Sequence, residues 1–433
     1  MVNTNDLHIE NEVRSFFDIT HNDHSGGEVS NILSKTLESK DQIFERQQLL
    51  KGFILNHHVL KDYSHYRFDL TEVYDFLDTI FVGNISPRKL RLKLRFSEKE
   101  REKRKGRLIL MVRLFYAINK DYLSRIDMRD FPASYAVELG FMKKFLAELD
   151  LEYYETAFQK KKFRVNQIVS LMMIILKKTA TGEMASFWKR WFLFEAYLSI
   201  SHCIVTKEMV FPEFDERFFA LEGIYHPALK DPVTNDFIVT SPVTLLTGPN
   251  MSGKSTFLKS VSICVYLGHA GLAIPASKAV MPFFDSISVA INLTDSIVSG
   301  YSHFMTEVMT LKNVVNDAAK GHKCFAVFDE LFRGTNIEDA LEISRTTIRG
   351  LSHFRHCIFL ISTHLHQLKE MDEIKNSKIA VCSIECTLTD NQPSFTYKLK
   401  SGWNDLKLGR ILFEKQGLDE ALAGNKNLTR SDN

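Results

Sequence analysis

Apolar positions in the first two hundred residues recur at the spacing of helix faces. Between Glu28 and His58, a stretch without proline, Ile32, Leu33, Leu37, Ile43, Leu49 and Leu50 recur at roughly helical spacing. That period predicts amphipathic helices. One segment departs from it. Leu90, Leu92, Leu94 and Phe96 alternate with Arg91, Lys93 and Arg95, and a period of two predicts a strand. The charged run that follows, Ser97 to Gly106, fits a helix or a loop equally.

After about residue 210 the pattern changes. Short β-rich runs alternate with helical ones: VTLLTG then KSTFLKSVSICVYLG, CFAVFDE then IEDALEISRTTIRGL, and CIFLIST before a polar turn. Such alternation predicts an α/β domain on a largely parallel sheet. Two later runs, IECTLTD and PSFTYKLKSG, are joined through Asp390–Pro393 and read as an antiparallel hairpin at one sheet edge. The boundary is placed between Val210 and Phe218. This gives a mostly α-helical domain over 1–210 and an α/β domain over 211–433.

Composition narrows the class further. Hydrophobic residues make up 45% and charged residues 25% of the 433, which excludes wholesale disorder. The longest apolar run, Ile168 to Leu176, is far short of the ~20 residues a membrane span needs. The polar, acidic start shows no secretory signal, and six cysteines without framework spacing suit a reducing cytoplasm. Cys382 and Cys386 lack a second ligand pair, so they do not read as a zinc site. The net charge is only +2, but Arg88 to Arg113 holds 12 basic and 3 acidic residues. A concentration of that kind is either a solvated helix face or a phosphate-contacting surface.

The chemistry lies in the α/β part. Gly248-Pro249-Asn250-Met251-Ser252-Gly253-Lys254-Ser255 satisfies G-x-x-x-x-G-K-[ST], and Thr256 follows it into a predicted helix. Strand before and helix after are the context in which such a loop cradles phosphates through backbone N–H groups. Lys254 would reach the β- and γ-phosphates of ATP, and the Ser255 hydroxyl would ligate Mg²⁺. The apolar run Cys324–Phe328 ends in Asp329-Glu330. Asp329 at that strand tip would hold the Mg²⁺, and Glu330 would polarise the attacking water as general base. His364, at the end of CIFLIST, is placed to sense the γ-phosphate.

TGPNMSGKST, SGYSHFMTEV, VFDELFRGTN and LISTHLHQL, in this order and spacing, resemble the ATPase domain of the MutS mismatch-repair family, which belongs to the ABC-type P-loop ATPases. The resemblance runs most closely over 221–418, including LEGIYHPAL. It extends more loosely over 17–200, where SKTLESKDQIFERQQLLKGF is similar to the opening of the family's core and lever helices. The resemblance implies roles for further residues. Phe237 would stack on adenine and Tyr397 would contact the base. Asn250 would lie near the γ-phosphate, and Ser302 would reach the γ-phosphate of the opposite subunit. A homodimer through the ATPase domain, DNA and repair proteins are the implied partners.

Some features depart from the family. The core-like text begins near residue 17, which leaves no room for the domain that reads mismatches. Phe96-Ser97-Glu98 and Phe211-Pro212-Glu213 match its Phe-x-Glu tripeptide by chance and lack its context. Leu406-Lys407-Leu408-Gly409 stands where the family has Ser-Tyr-Gly. The short lever region and the absent helix-turn-helix imply a weaker or ATP-dependent dimer. The expected function is therefore a cytoplasmic, DNA-binding ATPase without classical mismatch reading. A nucleotide-switched protein scaffold that ignores DNA is the alternative. A small-metabolite kinase fits less well, because an acidic pair with a signature serine suits water attack.

Overall fold

The computed structural model describes residues 2–20, 22–80, 86–291, 303–389, 392–404 and 413–422. The chain forms two compact units. One comprises Arg14–Lys207 with Ala270–Leu272, and the other Met1–Val13, Glu208–His269 and Ala273–Asn433. The first thirteen residues, counted with the helical part in the sequence, thus fold with the α/β part.

The helical unit runs through α1 (Asp23–Leu33), α2 (Lys40–Leu55), α3 (Arg67–Asp78), α4 (Pro87–Phe96), α5 (Glu98–Asp121), α6 (Ala133–Ala147), α7 (Leu151–Gln159), α8 (Val165–Ala180) and α9 (Glu183–Thr206). Side-chain caps set several starts: Asn22 accepts from the Ser25 N–H, Ser39 from Gln42 and Ser97 from Glu100. Helix α9 packs against α1 and α2, and its Phe187, Trp188 and Trp191 join Phe115 of α5 in an aromatic core. Glu195 of α9 is buried but receives hydrogen bonds from Asn22, Ser25, Tyr63 and His65. Those partners hold its carboxyl below its ordinary pKa against the opposing effect of burial.

The KLRLKLRF segment is a helix, not the predicted strand. Pro87 occupies its first turn, and Leu90 and Leu94, one helical turn apart, are the residues it buries against α5 and α8. Leu92 and Phe96 instead face solvent. The following charged run is also helical, the first part of α5.

The α/β unit holds strands β1 (Val2–Asn3), β2 (Glu213–Phe214), β3 (Ala220–Ile224), β4 (Asn235–Ile238), β5 (Val243–Thr247), β6 (Lys278–Met281), β7 (Ser286–Ala290), β8 (Cys324–Phe328), β9 (Ile358–Ser362), β10 (Ala380–Thr389) and β11 (Gln392–Ser401). Seven form a sheet in the order β1-β7-β8-β9-β5-β10-β11, parallel except for the β10–β11 hairpin. The three motif-bearing runs are its central neighbours β8, β9 and β5, every residue of which is buried. A smaller sheet orders β2-β6-β3-β4. Helices α10 (Lys254–His269), α11 (His303–Ala319) and α12 (Ile337–Leu351) complete the unit. The hairpin is where the sequence put it, at the sheet edge, although Asp390 and Asn391 of its turn lie outside the described residues. So do Ser302 and Leu406–Gly409.

Candidate active site

Parallel strands present their carboxyl ends along one edge of a sheet, and ligands bind outside that edge. Here β5 ends at Thr247, β8 at Phe328 and β9 at Ser362, so Gly248–Lys254, Asp329-Glu330 and Thr363-His364 emerge together. The loop after β5 turns through two glycines with positive φ, Gly248 at 141° and Gly253 at 97°. Gly253 also lets a ring approach: a Cβ there would stand 3.1 Å from Cδ1 of Tyr397. Met251, at φ 66°, points outward, as do Asn250, Ser255 and Thr256. Pro249 and Ser252 are buried within the loop.

Lys254 is folded back into its own loop. Its Nζ donates to the carbonyls of Gly248 and Pro249, each at 3.0 Å. Burial pushes this ammonium below its ordinary pKa, while Glu330 and Asp329 pull the other way. The Ser255 hydroxyl donates to Oδ2 of Asp329 at 2.5 Å, so the two expected metal ligands are in direct contact. Hydroxyl and carboxylate oxygens are the hard donor set that Mg²⁺ prefers.

Glu330 is the most constrained residue of the site. Its backbone has φ 54°, a left-handed conformation few non-glycine residues adopt. Its N–H donates to Oγ of Ser362 at 2.8 Å, and the same hydroxyl donates to Oδ1 of Asp329. Its carboxylate meets Nε2 of His364 at 2.6 Å and Nη1 of Arg333 at 2.9 Å. The hydrogen bond to His364 is the main reason its pKa lies below the ordinary carboxylate range, with Arg333 and Lys254 adding to it and burial opposing. Glu330 is therefore ionised at neutral pH, held at two corners by cationic or N–H partners.

Two clefts flank the Gly248–Ser255 loop. One, of 280 Å³, is lined by Asn250, Glu330, Phe332, Arg333, Thr363 and His364. The other, of 360 Å³, lies beside Gly253, Thr256 and Phe257 and is walled by His226, Val233 and Tyr397. Tyr397 is 46% exposed and has a left-handed backbone, φ 56°. Asn235 braces it by donating to its carbonyl and accepting from the Leu399 N–H.

Phe237 is not placed to stack on a base in this structure. The alternation along β4 turns its ring inward, where it is 3% exposed and packs edge-on against Phe257 and Phe219. The exposed ring of that cleft is Tyr397. Lys254, Ser255, Asp329, Glu330, His364 and Asn250 are gathered within one region, and Ser302 lies outside the described residues. Sequence reasoning missed Arg333, Ser362 and Glu307, a buried acid on α11. Arg333 and Glu307 lie inside the quoted motifs, but no local pattern shows what they bond to.

Known proteins resemble the α/β part of the chain. The model of the family described as MutS domain V matches residues 244–422. The chain is 34% identical over 182 residues to a DNA mismatch repair protein MutS of Streptococcus sanguinis, covering 42% of this chain and 21% of that protein. It is 33% identical over 211 residues to one from Staphylococcus haemolyticus, covering 46% and 23%. With one from Bacillus cereus the identity is 32% over 225 residues, covering 51% and 24%. The matched segment thus spans less than a quarter of these curated relatives.

Proposed function

We propose that this chain, whose residues 244–422 match MutS domain V, hydrolyses ATP to gate its hold on DNA. The observation that carries the reading is the bonded set Ser255–Asp329 and His364–Glu330–Arg333 at the mouth of the phosphate loop. ATP phosphates would take over the Lys254 ammonium from the Gly248 and Pro249 carbonyls, and the adenine would enter the cleft beside Tyr397. Mg²⁺ held by Ser255 and Asp329 would neutralise charge on the β- and γ-phosphates. Glu330 accepts a proton from the attacking water as its oxygen bonds to the γ-phosphorus and the bond to ADP breaks.

The DNA contact is assigned to α4. Arg88, Lys89, Arg91 and Arg95 make no ion pair among the described residues, and they surround exposed Leu92 and Phe96 on the face opposite Leu90 and Leu94. The α5 cations differ, since Arg101, Arg104 and Lys105 are paired with Glu98, Glu100 and Glu102. The chain would work as a dimer through the α/β unit, in the cytoplasm, beside repair proteins. No helix among the described residues is long and apolar enough to cross a membrane.

The test is steady-state ATP hydrolysis with and without duplex and branched DNA, with Glu330→Gln as the blank. A rate that changes with DNA and vanishes in the variant supports the reading. A Glu330-dependent rate indifferent to every DNA replaces it with the nucleotide-switched scaffold.

A further inference from the structure

The loop that carries Glu330 adopts the left-handed region twice, at Glu330 itself (φ 54°) and at Phe332 (φ 66°). Backbone of this kind reverts unless neighbouring groups fix it. The N–H of Glu330 is fixed by Ser362, as described above. The N–H of Phe332 is fixed from another element: it donates to Oε2 of Glu307, on α11, at 2.7 Å. Glu307 is 2% exposed. A carboxylate is costly to bury, and an apolar residue would fill the same space at less cost to folding. The same helix end makes two further contacts with this loop. Phe304, one turn before Glu307, stacks at a tilt on Phe332, and a Cβ on Gly334 would come within 3.2 Å of the Phe304 Cβ.

We infer that Glu307 is a positioning residue for Glu330: by accepting the Phe332 N–H, its buried carboxylate keeps the Glu330–Phe332 turn left-handed and aims Glu330 at the attacking water. The inference rests on the ATPase reading above. Among the described residues Glu307 bonds to the Glu330–Phe332 turn and to none of the residues expected to bind phosphate, so its effect falls on turnover and not on nucleotide affinity. Without that acceptor the turn relaxes, and Glu330 exchanges its contacts with His364 and Arg333 for solvent. Phe332 lines the 280 Å³ cleft with Glu330 and His364, so the same relaxation changes the wall of the water-binding side.

The experiment compares Glu307→Met, similar in shape but without an acceptor, with Glu307→Gln, whose amide oxygen still accepts the Phe332 N–H. Both are measured on the full chain for kcat, KM for Mg-ATP and melting temperature. The expected result is a kcat at least tenfold lower in Glu307→Met with KM within threefold of wild type. Glu307→Gln should keep more than half of the wild-type kcat. Equal kcat values in the two variants, or a KM that rises in step with the loss, would overturn the inference. If Glu307→Met does not fold, Glu307→Asp serves instead, because its shorter side chain retains the charge but draws back from the Phe332 N–H. It should lose kcat at constant KM, and wild-type turnover in it overturns the inference too. Glu330→Gln is run alongside. Turnover that survives in Glu330→Gln sinks the ATPase reading itself, whereas normal turnover in Glu307→Met beside a dead Glu330→Gln sinks only the role of Glu307.

Discussion

The mouth of the phosphate loop and the outer face of α4 are both strongly charged, yet they are built in opposite ways. At the first, each charged group is held by named partners: Lys254 by two carbonyls, Asp329 by two hydroxyls, Glu330 by His364 and Arg333. At the second, the arginines of one helix are exposed and make no ion pair among the described residues. Fixed groups suit a reaction whose geometry tolerates little error. Free cations suit a polyanion whose phosphates present the same charge at many registers. The first region should therefore respond to single substitutions and to pH, and the second to summed charge and to salt.

The sharpest test of that contrast is Glu330→Gln, which should lower kcat by about a thousandfold, within the range for loss of a general base, while ATP still binds. Retained turnover, measured by phosphate release, would dissolve the distinction at once. Acid tests another fixed group of the same unit, at the far end of α10. His269 of α10 is buried, donates from Nδ1 to the Val265 carbonyl and accepts the Phe284 N–H at Nε2. Burial pushes its pKa down to about 4. The unfolded chain then binds a proton that the folded one refuses, so this stabilisation is complete above pH 6.5 and fades as pH falls towards 4. The stability gap between wild type and His269→Gln in urea should shrink by about 3 kcal/mol over that interval. An unchanged gap would mean that His269 titrates normally.

Replacing Arg88, Arg91 and Arg95 together by alanine should weaken DNA binding about tenfold at moderate salt. The slope of log affinity against log salt should fall by about 2 to 3, near 0.9 for each lost phosphate contact. ATP hydrolysis without DNA should stay within about twofold of wild type. Titrations at several salt concentrations check both, and an unaltered slope would remove α4 from the interface. The smallest effect expected is that of Arg333→Ala. Its guanidinium is 75% exposed, so losing its ion pair with Glu330 should cost only about threefold in kcat. A loss as large as that in Glu330→Gln would show that the exposed partner is as tightly engaged as the buried ones.

What could be read from the sequence follows the same division. The phosphate loop and the acidic strand end were legible because each is a contiguous string between a strand and a helix. The chain itself brings their atoms together. The α4 segment was misread because alternating leucine and basic residues satisfy a period of two, while Leu90 and Leu94 also satisfy a helical turn. The choice between them came from Pro87 at the first turn, the Ser97 cap and the packing on α5 and α8. Phe237 was placed by likeness alone, and β4 turns it into the core. Ser362 and Glu307 were out of reach for another reason: each acts on a backbone N–H far along the chain, Glu330 and Phe332, and side-chain-to-backbone bonds leave no matching residue type to find.

One edge of the large sheet has a further consequence, for how the molecule is made. Val2 and Asn3 pair with Ile287 and Ser288, Asp6 accepts the Ile291 N–H, and Glu12 pairs with Lys259. A ribosome makes this strand before the helical unit, yet the partner it zips onto emerges only after that unit has been synthesised. Until then the strand must wait without its partner. A chain shortened at its amino end would leave the apolar flank of β7 as an open template for pairing between molecules.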